Sequence, residues 1–161
     1  MKTIKVNFKT LNIVCVIMVI VMIQACSGST SPEDVAIKAA TYLIEGEYSK
    51  LMDISYIPEG MSKDEVNERE REAIHKVREK ANDPDTTFGR VLKEIKDNGG
   101  YKKIRVEPFG ENERIIYYDD LDTGEKNIGA SVDIVVICKN GEEVSGLSIR
   151  LKRDGKIWKL S

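Results

Sequence analysis

At Asn98-Gly99-Gly100 the spacing of apolar residues changes. Before this point they recur every three or four positions, as on one side of a helix. After it they alternate, as on a strand with one buried face. A chain whose helical half precedes its strand half does not build alternating βαβ units. Its pattern predicts an α+β domain with N-terminal helices packed on one antiparallel sheet.

The helical half divides at clear stop signals. Ser31 is an N-cap with Pro32 at the first helical position and Glu33 and Asp34 at the positive end of the helix dipole. Val35, Ala36, Ala39, Ala40, Leu43 and Ile44 form its apolar stripe, and Gly46 ends it. A second helix is predicted from Glu47 to Ile54 with Tyr48, Leu51 and Met52 inward, broken by Ile57-Pro58-Glu59-Gly60. Ser62 and Glu65 have the spacing of a capping box, opening a third helix that runs to about Ala81. Its apolar face is thin (Val66, Ala73, Ile74, Val77, Ala81), and Glu65–Arg69 and Glu72–Lys76 are spaced for i,i+4 pairs, so it belongs on the surface. A fourth helix near Thr87–Asp97 turns Phe88, Val91, Leu92 and Ile95 inward.

Five strands are predicted, near 101–107, 113–119, 128–139, 144–152 and 156–160. Asn140-Gly141 suggests a type I′ hairpin, which would set Val132, Ile134, Val136 and Cys138 on one buried face with Leu147, Ile149 and Leu151. Asp154-Gly155 marks a second hairpin that brings Trp158 and Leu160 over the same core. Tyr117 and Tyr118, being adjacent, point to opposite faces, and one of them is expected in the core.

The first 25 residues follow different rules. Lys2, Lys5 and Lys9 precede an apolar run from Leu11 to Ile23, and Ile23-Gln24-Ala25-Cys26 follows directly. Thirteen helical residues span about 20 Å, short of the roughly 30 Å of bilayer hydrocarbon, which favours a cleaved signal over a transmembrane helix. The segment resembles a bacterial lipoprotein signal peptide (1–25) with its lipobox. That resemblance implies cleavage before Cys26 and lipidation of it, with secretion after cleavage at Ser27 as the rival reading. Residues 26–31, with Ser27-Gly28-Ser29-Thr30-Ser31, read as a flexible tether. Residues 32–161 then form a single domain.

Removing residues 1–25 from 161 leaves 136, enough for one domain with a hydrophobic core. Three lysines and no acid leave with them, so 22 Lys and Arg face 27 Asp and Glu, a net charge of −5. This argues against nucleic acid as a partner. With Cys15 removed and Cys26 alkylated, Cys138 stands alone. That excludes an intramolecular disulfide and a Cys-x-x-Cys zinc site.

The opening Ser31-Pro32-Glu33-Asp34-Val35, the link Ile44-Glu45-Gly46-Glu47-Tyr48 and the terminal Asp154-Gly155-Lys156-Ile157-Trp158-Lys159-Leu160 together resemble the nuclear transport factor 2-like (cystatin-like fold) superfamily. More narrowly they resemble the lumazine-binding-like domain of unknown function in small bacterial envelope lipoproteins. The resemblance covers about residues 31–161 and implies a curved antiparallel sheet wrapped against the helices, forming a cone that often encloses a pocket. Enzymes of that superfamily place Asp, His or Tyr inside the cone, which directs attention to His75 and Asp133. His75, the chain's one histidine, sits in a helix dense with Glu and Arg and reads as a solvated side chain. Asp133 alternates out of phase with Val132 and Ile134 and is expected toward solvent or a helix edge. Asp119-Asp120-Leu121-Asp122-Thr123-Gly124-Glu125 fails the EF-hand register and reads as a hairpin loop, Cys138 as an inert buried thiol, and Glu68 to Glu72 as a solvated helix face.

The reading is of a lipid-anchored envelope protein, held through Cys26 in the outer membrane facing the periplasm. It is expected to be a non-catalytic module for a small ligand or envelope partner, with no cofactor and no metal. The alternative is a small isomerase- or hydrolase-type enzyme using a carboxylate in the cone pocket.

Overall fold

The computed structural model describes residues 31–119 and 124–161. The signal segment and Cys26 lie outside them, as do Asp120 to Thr123 of the acidic loop. Helix α1 (Pro32–Glu45) starts where expected: the Ser31 hydroxyl accepts the Asp34 N–H at 3.1 Å, and Gly46 closes the helix in a left-handed conformation. Val35, Ala36, Ala39 and Ala40 are buried. Three of these four are alanines, so the backbone of α1 can lie close against the sheet, where it meets the first strand and the last three.

Helix α2 (Tyr48–Met52) is shorter than predicted because Glu47 takes the N-cap position and the chain turns at Asp53. Leu51 is its buried residue. Helix α3 (Lys63–Asn82) opens with the full capping box and buries no residue. One expected pair is replaced: Glu65 accepts from the Ser62 N–H at 2.8 Å and the Ser62 hydroxyl at 2.7 Å instead of reaching Arg69. Lys76 does meet Glu72, at 3.4 Å. Helix α4 (Thr87–Asp97) is capped by Thr86 and runs close to the end of α3. A Cβ on Gly89 would stand 2.0 Å from the Asp83 carbonyl oxygen, so this junction requires glycine.

The strands are β1 (Tyr101–Val106), β2 (Pro108–Phe109), β3 (Asn112–Glu113), β4 (Ile115–Tyr118), β5 (Gly129–Cys138), β6 (Glu143–Asp154) and β7 (Ile157–Leu160). The main sheet is antiparallel in the order β1-β5-β6-β7, with β4 pairing the first half of β5 and β1 the second. Val132 lies opposite Ile149 and Ile134 opposite Leu147. A bulge then shifts the register so that Val136 meets Val144. These residues, with Ala130, Cys138 and Leu151, form the buried face beneath α1, α2 and α4.

Three expectations are corrected. The β5–β6 connection is not type I′, since Gly141 has positive φ (96°) and Asn140 does not. The Gly141 N–H instead donates to the Cys138 carbonyl at 3.0 Å, giving a three-residue loop, Lys139 to Gly141, with the side chain of Asn140 accepting from the Glu142 N–H. The strand predicted over 113–119 is split at Arg114: β3 folds back on β2 as a small hairpin, and only Ile115–Tyr118 joins the sheet. Neither Tyr117 nor Tyr118 is in the core; they are 48% and 44% exposed. Alternation did place them on opposite faces, but β4 lies at the sheet edge with little helix over it, and the Tyr117 ring rests on Trp158 at 6.0 Å.

Helices set against a curled antiparallel sheet give the domain an α+β, cone-like architecture.

Candidate functional site

The end of β7 is tied to the chain between α2 and α3. Tyr56 donates its N–H to the Leu160 carbonyl and Leu160 donates to the Ile54 carbonyl, both at 2.7 Å. This satisfies an edge that would otherwise present free backbone groups. It also holds α3 beside the sheet rather than on it. Between them lies a cavity of about 510 Å³.

Its floor is Leu43, Leu51, Met52, Ile149 and Leu160, and its outer wall is Val66, Ala73 and Val77 of α3. This explains why α3 buries no residue despite having an apolar stripe: the stripe faces a cavity, not a packed surface. Arg69, Glu70 and Lys80 of α3 and Arg150 of β6 stand around the apolar lining, three cationic side chains to one acidic one, with Ser161 beside them. Lys152 sits 4.4 Å above the ring of Tyr56, a cation–π contact that orients one wall. The Ser55 hydroxyl donates to the Leu51 carbonyl at 2.8 Å, and the Ser148 and Ser131 hydroxyls bond each other at 2.8 Å. The lining is thus an apolar chamber with a charged rim, of the kind that encloses the body of a small molecule and orients its polar end.

The residues singled out from the sequence do not meet in this chamber. His75 is 73% exposed, its Nδ1 3.3 Å from Glu79, and it does not line the cavity. Asp133 is bound by the Arg114 guanidinium at 2.8 Å on the sheet face opposite the core, which agrees with its phase. Cys138 is fully buried, and burial, with smaller contributions from Glu94 and Glu142, pushes its thiol pKa up. Asp119 accepts the Asn127 N–H at 2.9 Å. Among the described residues, no group of three His, Cys, Asp or Glu side chains could hold a metal.

The charge run Glu68 to Glu72 is solvated as expected at Glu68, Arg69, Arg71 and Glu72, and only Glu70 departs from it. Arg69 and Glu70 turn to the cavity, and Glu70 is half-buried there. The signal was present in the spacing: Val66, Arg69, Glu70, Ala73, Val77 and Lys80 follow i, i+3, i+4, i+7, i+11 and i+14, which is one face of a helix. Arg150 carried no such signal, because it reaches the rim from a distant strand.

No protein-family model matches the chain. No curated protein matches it either. Among solved structures, one similar chain is a Campylobacter jejuni protein provisionally designated an NTF2-like transpeptidase. The two are 18% identical, with 81% of this chain and 97% of that one covered and a TM-score of 0.49.

Proposed function

We propose that this protein is a lipid-anchored binding module of the bacterial cell envelope, allied to the lumazine-binding-like envelope lipoproteins and held by acylated Cys26 in the outer membrane, facing the periplasm. Its ligand is a small amphipathic molecule with an apolar body and an anionic end. The cavity carries this reading: about 510 Å³, apolar on floor and wall, with Arg69, Lys80 and Arg150 at the rim. Two of its lining serine hydroxyls are already engaged, Ser55 with the Leu51 carbonyl and Ser148 with Ser131 outside the lining, which suits holding a ligand better than attacking one.

Anilinonaphthalene sulfonate, with apolar rings and one negative charge, is the probe. The wild-type protein should bind it saturably, and Ala73→Leu, which projects a larger side chain into the chamber, should weaken binding while the protein stays folded. Undiminished binding by Ala73→Leu overturns the assignment of the site. The second reading, an isomerase or hydrolase, rests on Glu70, the acid of the lining. Loss of cellular function in Glu70→Gln with dye binding intact would promote it. For the anchor, intact-mass analysis of the membrane fraction should find acyl groups on an N-terminal Cys26, and Cys26→Ser should release the domain or leave it unprocessed. A soluble wild-type chain beginning at Gly28 sinks the anchor.

A further inference from the structure

Among the described residues, six large apolar side chains are exposed: Ile57, Phe109, Ile116, Tyr117, Tyr118 and Ile157. Ile57 lines the cavity described above. Three of the others, Phe109, Tyr117 and Ile157, lie at the end of the cone where α1 begins, while Ile116 and Tyr118 take the other face of β4. Asp34, Val35 and Lys38 of its first turns share a shallow cleft with Ile157 and Trp158, and Tyr117 stacks obliquely on Trp158. Glu33 shares a hydrogen bond with Glu113, which brings the β2–β3 hairpin and its Phe109, 71% exposed, to the same end.

Resting on the Cys26 anchor proposed above, we infer that this end of the cone is a membrane-contact surface whose aromatic and aliphatic side chains enter the interfacial layer of the bilayer that holds the anchor. Five residue steps, through Ser27 to Thr30, lead from Cys26 to Ser31, which caps α1. Fully extended they reach at most about 18 Å, so a lipid on Cys26 keeps the start of α1, and the patch around it, next to the headgroups. Trp and Tyr are suited to that layer, with an apolar ring inward and a polar group in the wet zone. Arg153 and Lys156 flank Tyr117 and Trp158 and are positioned to meet phosphates, while Asp154 is neutralised by Lys159 at 3.0 Å. With a net charge of −5 on residues 26–161, general electrostatic attraction does not hold the domain down. The apolar contact and the tether do. The same orientation leaves the cavity on the aqueous side, since Leu43 on its floor is about 18 Å along α1 from Ser31.

Trp158 is the chain's single tryptophan, so its fluorescence reads this surface directly. The full-length processed protein, with acyl mass on Cys26 verified, is reconstituted into phosphatidylcholine vesicles with and without bromine on the acyl chains near the carbonyls. Trp158 should lose most of its emission in the brominated vesicles. Phe109→Ser combined with Ile157→Ser should restore much of it, and Ile57→Ser should behave as wild type. Protection of Cys138 from a thiol reagent verifies that the variants are folded. An acylated, vesicle-bound wild-type protein whose Trp158 is unquenched overturns the membrane contact and leaves the anchor standing. A chain without acyl mass that stays in the aqueous phase overturns both.

Discussion

Helix α1 buries Val35, Ala36, Ala39 and Ala40 within 14 residues, whereas α3 has 20 residues and buries none. Both open on a serine cap with acids in the first turn. The difference lies in what each stripe presses against. The stripe of α1 is small and uninterrupted, so it seats on the sheet, while that of α3 carries Arg69, Glu70 and Lys80 among its apolar positions and stands off. One helix is part of the core; the other turns the space beside the core into a chamber. An apolar period identifies a face, but the side chains along that face decide whether it packs or lines a cavity.

The sharpest way to break this contrast is the same substitution on both helices. Ala39→Leu forces a larger side chain into a packed site and should cost about 1–3 kcal/mol in denaturant unfolding. Ala73→Leu should leave global stability nearly unchanged and weaken dye binding. Equal costs at the two positions would mean that α3 is packed like α1.

Next in size are the caps. Ser31→Ala should cost about 1 kcal/mol of global stability. Ser62→Ala removes the same chemistry from a helix that opens on its own, so its loss should appear as faster amide exchange along α3 with a smaller change in global unfolding.

Smaller still is the pH dependence of two first-turn acids, which have opposite signs. Partial burial, then the nearby Glu113 and Asp34, raises the pKa of Glu33 above its ordinary 4.5. The folded protein holds that proton more tightly than the unfolded chain, so the stability it contributes is complete below 4.5 and is lost as pH rises through the folded value. Hydrogen bonds from Ser62 lower the pKa of Glu65, whose contribution is present above 4.5 and lost as pH falls through its folded value. Glu33→Gln should therefore gain stability relative to wild type at neutral pH and lose that gain in acid. Unfolding midpoints measured from pH 3 to 7 should show it.

The smallest effects are expected at the two residues a search for catalysis would choose first. His75→Ala should change stability by less than about 0.5 kcal/mol. Asp133→Asn, which weakens a partly exposed ion pair with Arg114, should cost less than about 1 kcal/mol. Both variants should bind the dye as wild type does. Loss of binding in either would place a polar site where the structure shows none.

Much of the fold was legible in the chain because local rules generate it. Ser31, Ser62, Gly46 and the turn at Asn98-Gly99-Gly100 act over three or four residues, and the alternation from Val132 to Cys138 needs only a covering layer to become a buried face. The Asn140-Gly141 hairpin was legible as a connection but not as a turn type, because the register set by β5 and β6 favoured a three-residue loop. Tyr117 failed for a different reason: alternation says which face a residue takes, not whether anything covers that face.

The candidate site was half legible. Val66, Arg69, Glu70, Ala73, Val77 and Lys80 share one helical face by spacing alone, so the wall of the cavity is written in α3. Its floor is not, because Leu43, Leu51, Ile149 and Leu160 come from four separate elements and resemble any other core residues. By itself the sequence determined the helices, their caps, the strands and their buried faces, since hydrogen-bonding and side-chain periods act between near neighbours. Tertiary structure alone decided that α3 stands away from the sheet, that Arg150 joins the rim, and that Phe109, Tyr117 and Ile157 collect where α1 begins. Those outcomes depend on how elements far apart in the chain compete for the same surface.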